Sequence, residues 1–319
     1  MNLFYLNNWE LNSKTKLEIK EIAPIPIPKG RTWIHLTPKS DIELNKLLLH
    51  FDIHPLTIED CMNPMSRIKF ERFPNYLFFV FRGLHFENNS IHSRNFNFIL
   101  TQNTLITVVL DHRNTIEDLI ADWDSGKKLL EKGAEFIIHR IIDIETDHIL
   151  PIIYRIEDQA EEIESQVFKE DVDLDINSIF VMRRTLQHIK KVIHQHKEIL
   201  DDLEDIKNPF FSHESEAFFR DVKDHSIRIL ESAETIRELI SSALEVHLTI
   251  SSRRSSEIVK ILTIMTAIML PMTLITGIYG MNFTKIPLLN WELGFHLTLG
   301  AMASLGIAMV IFFRIKKWF

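Results

Sequence analysis

The stretch ILTIMTAIMLPMTLITGIYGMNF, residues 261–283, decides the reading of this chain. From Ile261 to Tyr279 it carries no formal charge over 19 residues. As a helix that run would be about 28 Å long, close to the thickness of a bilayer's hydrocarbon core. A second uncharged run, Phe295 to Phe313, follows after a short loop. Two closely spaced spans at the C-terminal end, the first closing on Tyr279-Gly280-Met281-Asn282-Phe283, suit a pore better than a catalytic centre.

Outward from that stretch, charge is distributed unevenly. The net charge is −8. Residues 141–250 hold 25 acids against 12 bases, whereas residues 251–319 hold 2 against 7. An acidic middle and a basic, apolar end belong in different surroundings. Arg253, Arg254 and Lys260 precede the first span; Arg314, Lys316 and Lys317 follow the second. The intervening loop carries only Lys285 and Glu292. The positive-inside bias then predicts a multi-pass protein of the cell (inner) membrane with both termini cytoplasmic. The N-terminal MNLFYLNNWELNSK lacks a basic segment followed by an apolar core, so no signal peptide is expected. Cys61 is the lone cysteine, which excludes a disulfide within the chain.

Residues 1–133 read as a cytoplasmic α/β domain. RTWIHLT (31–37) is a strand candidate, and Pro38-Lys39-Ser40-Asp41 supplies a turn and cap before a helix through Leu44, Leu47, Leu48 and Phe51. Tyr76–Leu84, Phe96–Leu100 and Leu105–Leu110 predict an antiparallel sheet, with Thr101-Gln102-Asn103-Thr104 as a turn. Residues 134–209 form an acidic long-helix region, with Ile138, Ile141, Ile142, Glu145, Ile149, Ile152, Ile153 and Ile156 at helical spacing. Lys207-Asn208-Pro209 breaks the pattern, and Phe210 or Phe211 restarts it. From there no glycine occurs before Gly277 and no proline before Pro271. The cytoplasmic segment 210–260, the span 261–283, the external loop 284–294, the span 295–313 and the basic tail 314–319 complete the expected organisation.

Alternating steps of four and three from Glu238 reach Ser242, Glu245, Thr249, Ser252, Ser256, Val259, Thr263, Thr266, Leu270, Thr273, Gly277 and Gly280. A 3.5-residue period keeps one line of residues on a common axis when helices supercoil. Here all but Val259 and Leu270 are polar or glycine, even within the span. Polar groups at that depth must face protein or water. Small and hydroxylated residues also serve helix packing in lipid, so a packed seam competes with a water-filled axis.

Tyr-Gly-Met-Asn-Phe at the outer end of the first of two C-terminal spans resembles the CorA family of divalent-cation channels, within the two-span superfamily that shares the Gly-x-Asn signature. FRDVKDHSIRILESAETIRELISSALEVHLTISS (219–252) looks like that family's stalk helix. HPLTIED (54–60) and RIKFERFPNYLFFVF (67–81) look like its N-terminal signature, and Arg314 to Phe319 like its basic tail. The resemblance implies an α+β cytoplasmic domain, long helices and two C-terminal transmembrane helices, assembled as a funnel-shaped homopentamer. It implies Gly280, Met281 and Asn282 as the selectivity motif. Glu245, Ser256, Val259, Leu262, Thr263, Thr266, Leu270, Thr273 and Gly277 would line the pore. Leu262 competes with Thr263 for the seam, so the register there is open by one residue. Glu87 and Asp221 would hold a regulatory Mg²⁺ between subunits. Gly280 is expected to let the backbone turn at the helix end.

Two departures bear on ion preference. Ile286-Pro287-Leu288-Leu289 stands where the family carries Met-Pro-Glu-Leu, and Ser256 where it carries Asn. The expected function is passive, potential-driven passage of hydrated Mg²⁺, and of Co²⁺ or Ni²⁺, gated by intracellular Mg²⁺. No phosphate-loop lysine motif, zinc-protease helix or glycine-rich nucleotide fingerprint occurs, so neither an enzyme, an organic cofactor nor a nucleic-acid partner is expected. The expected partners are further copies of the chain, lipid and divalent cations. The 15 histidines, among them His188, His194 and His196, raise a proton-coupled zinc transporter as an alternative, with exposed helical histidine as the plainer explanation. A membrane scaffold or sensor without transport is the second alternative.

Overall fold

The computed structural model describes residues 2–7, 15–16, 31–38, 41–87, 90–110, 115–169, 174–204, 210–283, 286–288 and 291–318. The expected cap at Lys39-Ser40, the helix break at Lys207-Asn208-Pro209 and the loop residues Lys285 and Leu289 lie outside them. The strands are β1 (Asn2–Asn7), β2 (Thr15–Lys16), β3 (Thr32–Thr37), β4 (Lys69–Arg72), β5 (Tyr76–Glu87), β6 (Ser90–Thr101) and β7 (Thr104–Val108). The helices are α1 (Asp41–His50), α2 (Pro55–Met62), α3 (Thr115–Ala121), α4 (Trp123–Lys132), α5 (Ala134–Asp147), α6 (Leu150–Val167), α7 (Ile176–Glu204), α8 (His213–Tyr279) and α9 (Gly294–Ile315). The chain divides into two compact units, Met1–Ser241 and Ser242–Phe319, and α8 contributes to both.

The first unit is built on one seven-stranded sheet, ordered β2-β1-β3-β7-β6-β5-β4. β5, β6 and β7 form the antiparallel meander that their aromatic runs predict. Its second turn is closed by Thr101, whose Oγ1 accepts the Thr104 amide at 3.0 Å and donates to the Thr104 carbonyl at 3.1 Å. β3 joins β7 in parallel, Trp33 beside Leu105 and Ile34 beside Ile106. All six residues of β3 are buried, so both faces of the sheet are covered there. On one face Ile34, Leu36, Phe78, Val80, Ile99, Ile106 and Val108 pack with Leu44, Leu47, Leu48, Ile58 and Cys61 of α1 and α2. The other face carries Phe79, Phe81, Phe96 and Phe98. There the ring of His196, on α7, stacks on Phe81 with centroids 3.7 Å apart.

A polar row crosses that second face. Trp33 Nε1 donates to Thr107 Oγ1 at 3.1 Å, His35 Nδ1 lies 2.9 Å from the same oxygen, and Thr37 Oγ1 is 3.3 Å from His35 Nε2. Burial pushes the imidazoles of His35 and His196 down to about 3, so both are neutral at physiological pH. His196 is fully buried, which corrects its reading as exposed; His194 is exposed.

The acidic helical region is broken more often than expected. α5 ends at Asp147, just ahead of Pro151, whose ring disfavours a continuous helix across that point. α6 ends at Val167 and α7 starts at Ile176, where Asp175 Oδ1 accepts the Asn177 amide at 3.0 Å. The stalk helix starts at His213, two to three residues later than expected. Phe219, Val222, Ser226, Ile229, Ala233, Ile236 and Ile240 form its buried stripe, at steps of three and four. Lys223 bridges from α8 to Asp201 and Glu204 of α7, each at 2.6 Å, and Glu234 of α8 pairs with Lys190 of α7.

Candidate functional site

Among the described residues α8 and α9 are the two helices long and apolar enough to cross a membrane. They touch through one face of α8. Ile264 is 5% exposed, and Ala267, Ile268, Pro271, Met272 and Ile275 are half-buried. Gly306 of α9 provides the close approach: a Cβ there would lie 2.5 Å from Met272 Cε.

The seam lies on the opposite side. At about 100° per residue, Val259, Thr266, Leu270, Thr273 and Gly277 centre roughly 150° from the α9 contact. All are exposed in the single chain, Val259 at 61% and Leu270 at 67%. Further along the same side, Glu245 and Ser256 are exposed too. Leu262 and Thr263 are both exposed and flank the seam's centre by roughly 50° on either side.

Five of the seam's hydroxyls share one geometry. Thr249, Ser256, Thr263, Thr266 and Thr273 donate to the carbonyls of Glu245, Ser252, Val259, Leu262 and Met269, at 2.8–2.9 Å. Each proton is thus spent inside the helix, and the oxygen keeps lone pairs for an outside donor. A face of acceptors suits the water shell of a cation, whose hydrogens point outward.

α8 ends at Tyr279, and Gly280 donates its amide to the Thr276 carbonyl at 2.9 Å. Gly280 has no positive φ, so the turn expected from its backbone freedom is not its role. A Cβ there would sit 3.1 Å from the Thr276 oxygen, a tight but not prohibitive contact. Met281, Asn282 and Phe283 are all exposed. Asn282 takes no hydrogen-bond partner among the described residues, so its amide is not used as a helix cap.

Glu87 ends β5, exposed, and Asp221 lies on α8; their contacts are with different residues. Asp221 Oδ2 is 3.9 Å from His225 Nε2, and His225 Nδ1 is 3.5 Å from Asp147 Oδ1. Asp143, Asp147 and His225 bring ligand atoms within 4.8 Å of one another, a cluster the sequence reading missed. Its only linear trace is the four-residue spacing of Asp143–Asp147 and of Asp221–His225, which puts each pair on one helix face.

Residues 28–317 match the family described as CorA-like Mg²⁺ transporter protein. The chain is 30% identical over 308 residues to the cobalt/magnesium transport protein CorA of Thermotoga maritima, covering 94% of this chain and 87% of that one. It is 31% identical over 287 residues to the putative metal ion transporter YfjQ of Bacillus subtilis, covering 90% and 89%. The complete CorA magnesium transporter structure from Methanocaldococcus jannaschii shares the fold, with a TM-score of 0.83 at 24% identity over 100% of this chain and 99% of that one.

Proposed function

The chain belongs to the CorA-like Mg²⁺ transporter family, a family of ion transporters and not of enzymes, and from that premise we propose that it passes divalent cations across a membrane. Mg²⁺ is the main ion, with Co²⁺ and Ni²⁺ accepted, and passage is passive along an axis surrounded by five copies of α8. The observation that supports this reading is the acceptor-lined face of α8, turned away from α9 and ending beside the exposed amide of Asn282.

The chemistry follows from Mg²⁺, which gives up its waters reluctantly. A ring of Asn282 amide oxygens accepts hydrogen bonds from first-shell water without stripping it. A carboxylate ring would hold the ion more tightly and slow its release. Thr273 and Thr266 repeat the acceptor rings inward. Leu270, Leu262 and Val259 are the apolar constrictions, which close by dewetting. An inside-negative potential drives a divalent ion inward with about 4.6 kcal/mol per 100 mV, so a gate is needed and a pump is not. The gate is set by intracellular Mg²⁺ at the acids around Asp221, joined by Glu87 of another subunit. A bound cation offsets their repulsion and holds the ring shut.

The test is ion flux into proteoliposomes under an imposed potential, for the wild type and Asn282→Ala. Mg²⁺ entry in the wild type that is lost in the variant supports the reading. Zn²⁺ entry that depends on a proton gradient would replace it with the zinc transporter, and no flux of any ion would leave a scaffold.

A further inference from the structure

The buried face of α5 carries two carboxylates, Glu135 and Glu145, and Glu145 is fully buried. Its Oε1 accepts from the Thr115 hydroxyl, while its Oε2 has no hydrogen-bond partner among the described residues. A buried carboxylate oxygen without a partner is costly, and such groups in proteins are usually paired or bound to metal. The backbone makes room for it: a Cβ on Gly83 of β5 would lie 1.9 Å from Oε2.

Two imidazoles converge on this carboxylate from different elements. His85, two residues beyond Gly83, places Nε2 3.6 Å from Oε2. His148, at the end of α5, places Nδ1 4.0 Å from Oε1. Their rings meet edge-on with centroids 5.7 Å apart. In a tetrahedral site with Zn–N of 2.0–2.1 Å, neighbouring donors stand about 3.4 Å apart. The two imidazole nitrogens meet different oxygens of the carboxylate, at 3.6 and 4.0 Å, and all the donor atoms lie within 4.8 Å of one another, so the side chains must draw together around an ion. The side chain of His148 is 50% exposed and provides the way in.

We propose that His85, Glu145 and His148 form a binding site for a borderline-soft divalent transition metal, Zn²⁺, Co²⁺ or Ni²⁺, in the soluble unit. Two nitrogens and one carboxylate match those ions, whereas Mg²⁺ takes an all-oxygen shell. Thr115 orients the carboxylate from behind, as an outer partner of a ligand does. Arg94 contacts His85 Nε2 at 2.7 Å, so its guanidinium competes with the metal for that nitrogen and repels it. A bound ion would pin the α5–α6 break to β5. The site is separate from the pore and does not depend on the transport reading.

The test is titration of the full-length chain in detergent micelles, with any affinity tag removed and millimolar Mg²⁺ present to fill oxygen sites. Co²⁺ is followed by its visible d–d absorption and Zn²⁺ by displacement of Co²⁺. One ion per chain is expected. His148→Ala and His85→Ala should each weaken binding by at least about tenfold, as losing a ligand costs no less than losing its outer partner. Arg94→Gln should tighten it. Because His148 is half-exposed, its variant should melt like the wild type and report binding alone. Unchanged Co²⁺ and Zn²⁺ affinity in both histidine variants, or displacement of Co²⁺ by millimolar Mg²⁺, would overturn the site.

Discussion

Single cysteines placed along α8 would distinguish a water-filled axis from a packed seam. Cys61 is the only native thiol and is fully buried; burial pushes it well above the ordinary thiol value, so it stays silent without being replaced. The informative positions are Thr263, Thr266, Leu270 and Thr273 against Ile264, Ile268 and Ile275. A water-exposed cysteine with a pKa of about 8.5 is roughly one quarter thiolate at pH 8 and reacts at once with a cationic methanethiosulfonate. A cysteine behind α9 reacts only after local opening, and an opening cost of about 3 kcal/mol lowers its rate about a hundredfold. Modification rates, read as progressive block of Mg²⁺ influx in proteoliposomes, should therefore follow a helical period of about 3.6 residues. Maxima should fall on the seam and minima roughly 150° away, at Ile264 and Ile275. Maxima on the Ile264–Ile268–Ile275 side, or no periodicity, would refute an aqueous axis on this face.

Three further outcomes are expected. Asp221→Lys should keep the channel shut, abolishing the rise in influx, about 5- to 150-fold, that lowering internal Mg²⁺ causes in the wild type; an unchanged response would remove Asp221 from gating. Acid should destabilise the first unit through His35 and His196, whose folded values of about 3 lie below the unfolded 6.5. Their stabilisation is complete above pH 6.5 and lost as pH falls towards 3, about 2 kcal/mol each at pH 5. Thermal melts at pH 7 and 5 should show that slope, and His196→Leu should remove about half of it. Gly306→Leu makes the flexible end of Met272 swing aside and should lower the melting temperature in detergent, by at most the overpacking cost of about 1–3 kcal/mol.

The sheet meander and the two apolar helices were legible in the linear pattern because each depends on neighbours within a few residues. The aromatic runs of β5, β6 and β7 announce themselves, and so does the uncharged length of Ile261–Tyr279. β2 and β4 were not, being short or mostly polar, while the apolar run of β1 (NLFYLN) carried a strand signal but no mark of its partner β3. The parallel pairing of β3 with β7 was also hidden, since it joins residues some seventy positions apart that carry no mark of their partner. Glu145 shows the same limit differently. Its place in an apolar stripe was visible, yet nothing in that stripe names Gly83, His85 or Thr115 as what surrounds it.

By itself the sequence determined that α8 has a small, hydroxylated side running at a 3.5-residue period, because periodicity belongs to one helix and needs no partner. Only the tertiary structure decided that α9 takes the other side, through Met272 against Gly306, and leaves the seam and Asn282 uncovered. It also spent the hydroxyl protons of Thr263, Thr266 and Thr273 within the helix, so that the exposed face offers acceptors. The physical reason is common to these points. A helix face is a local property, but what covers it, and which donors meet around a buried carboxylate, is set by packing between elements distant in the chain.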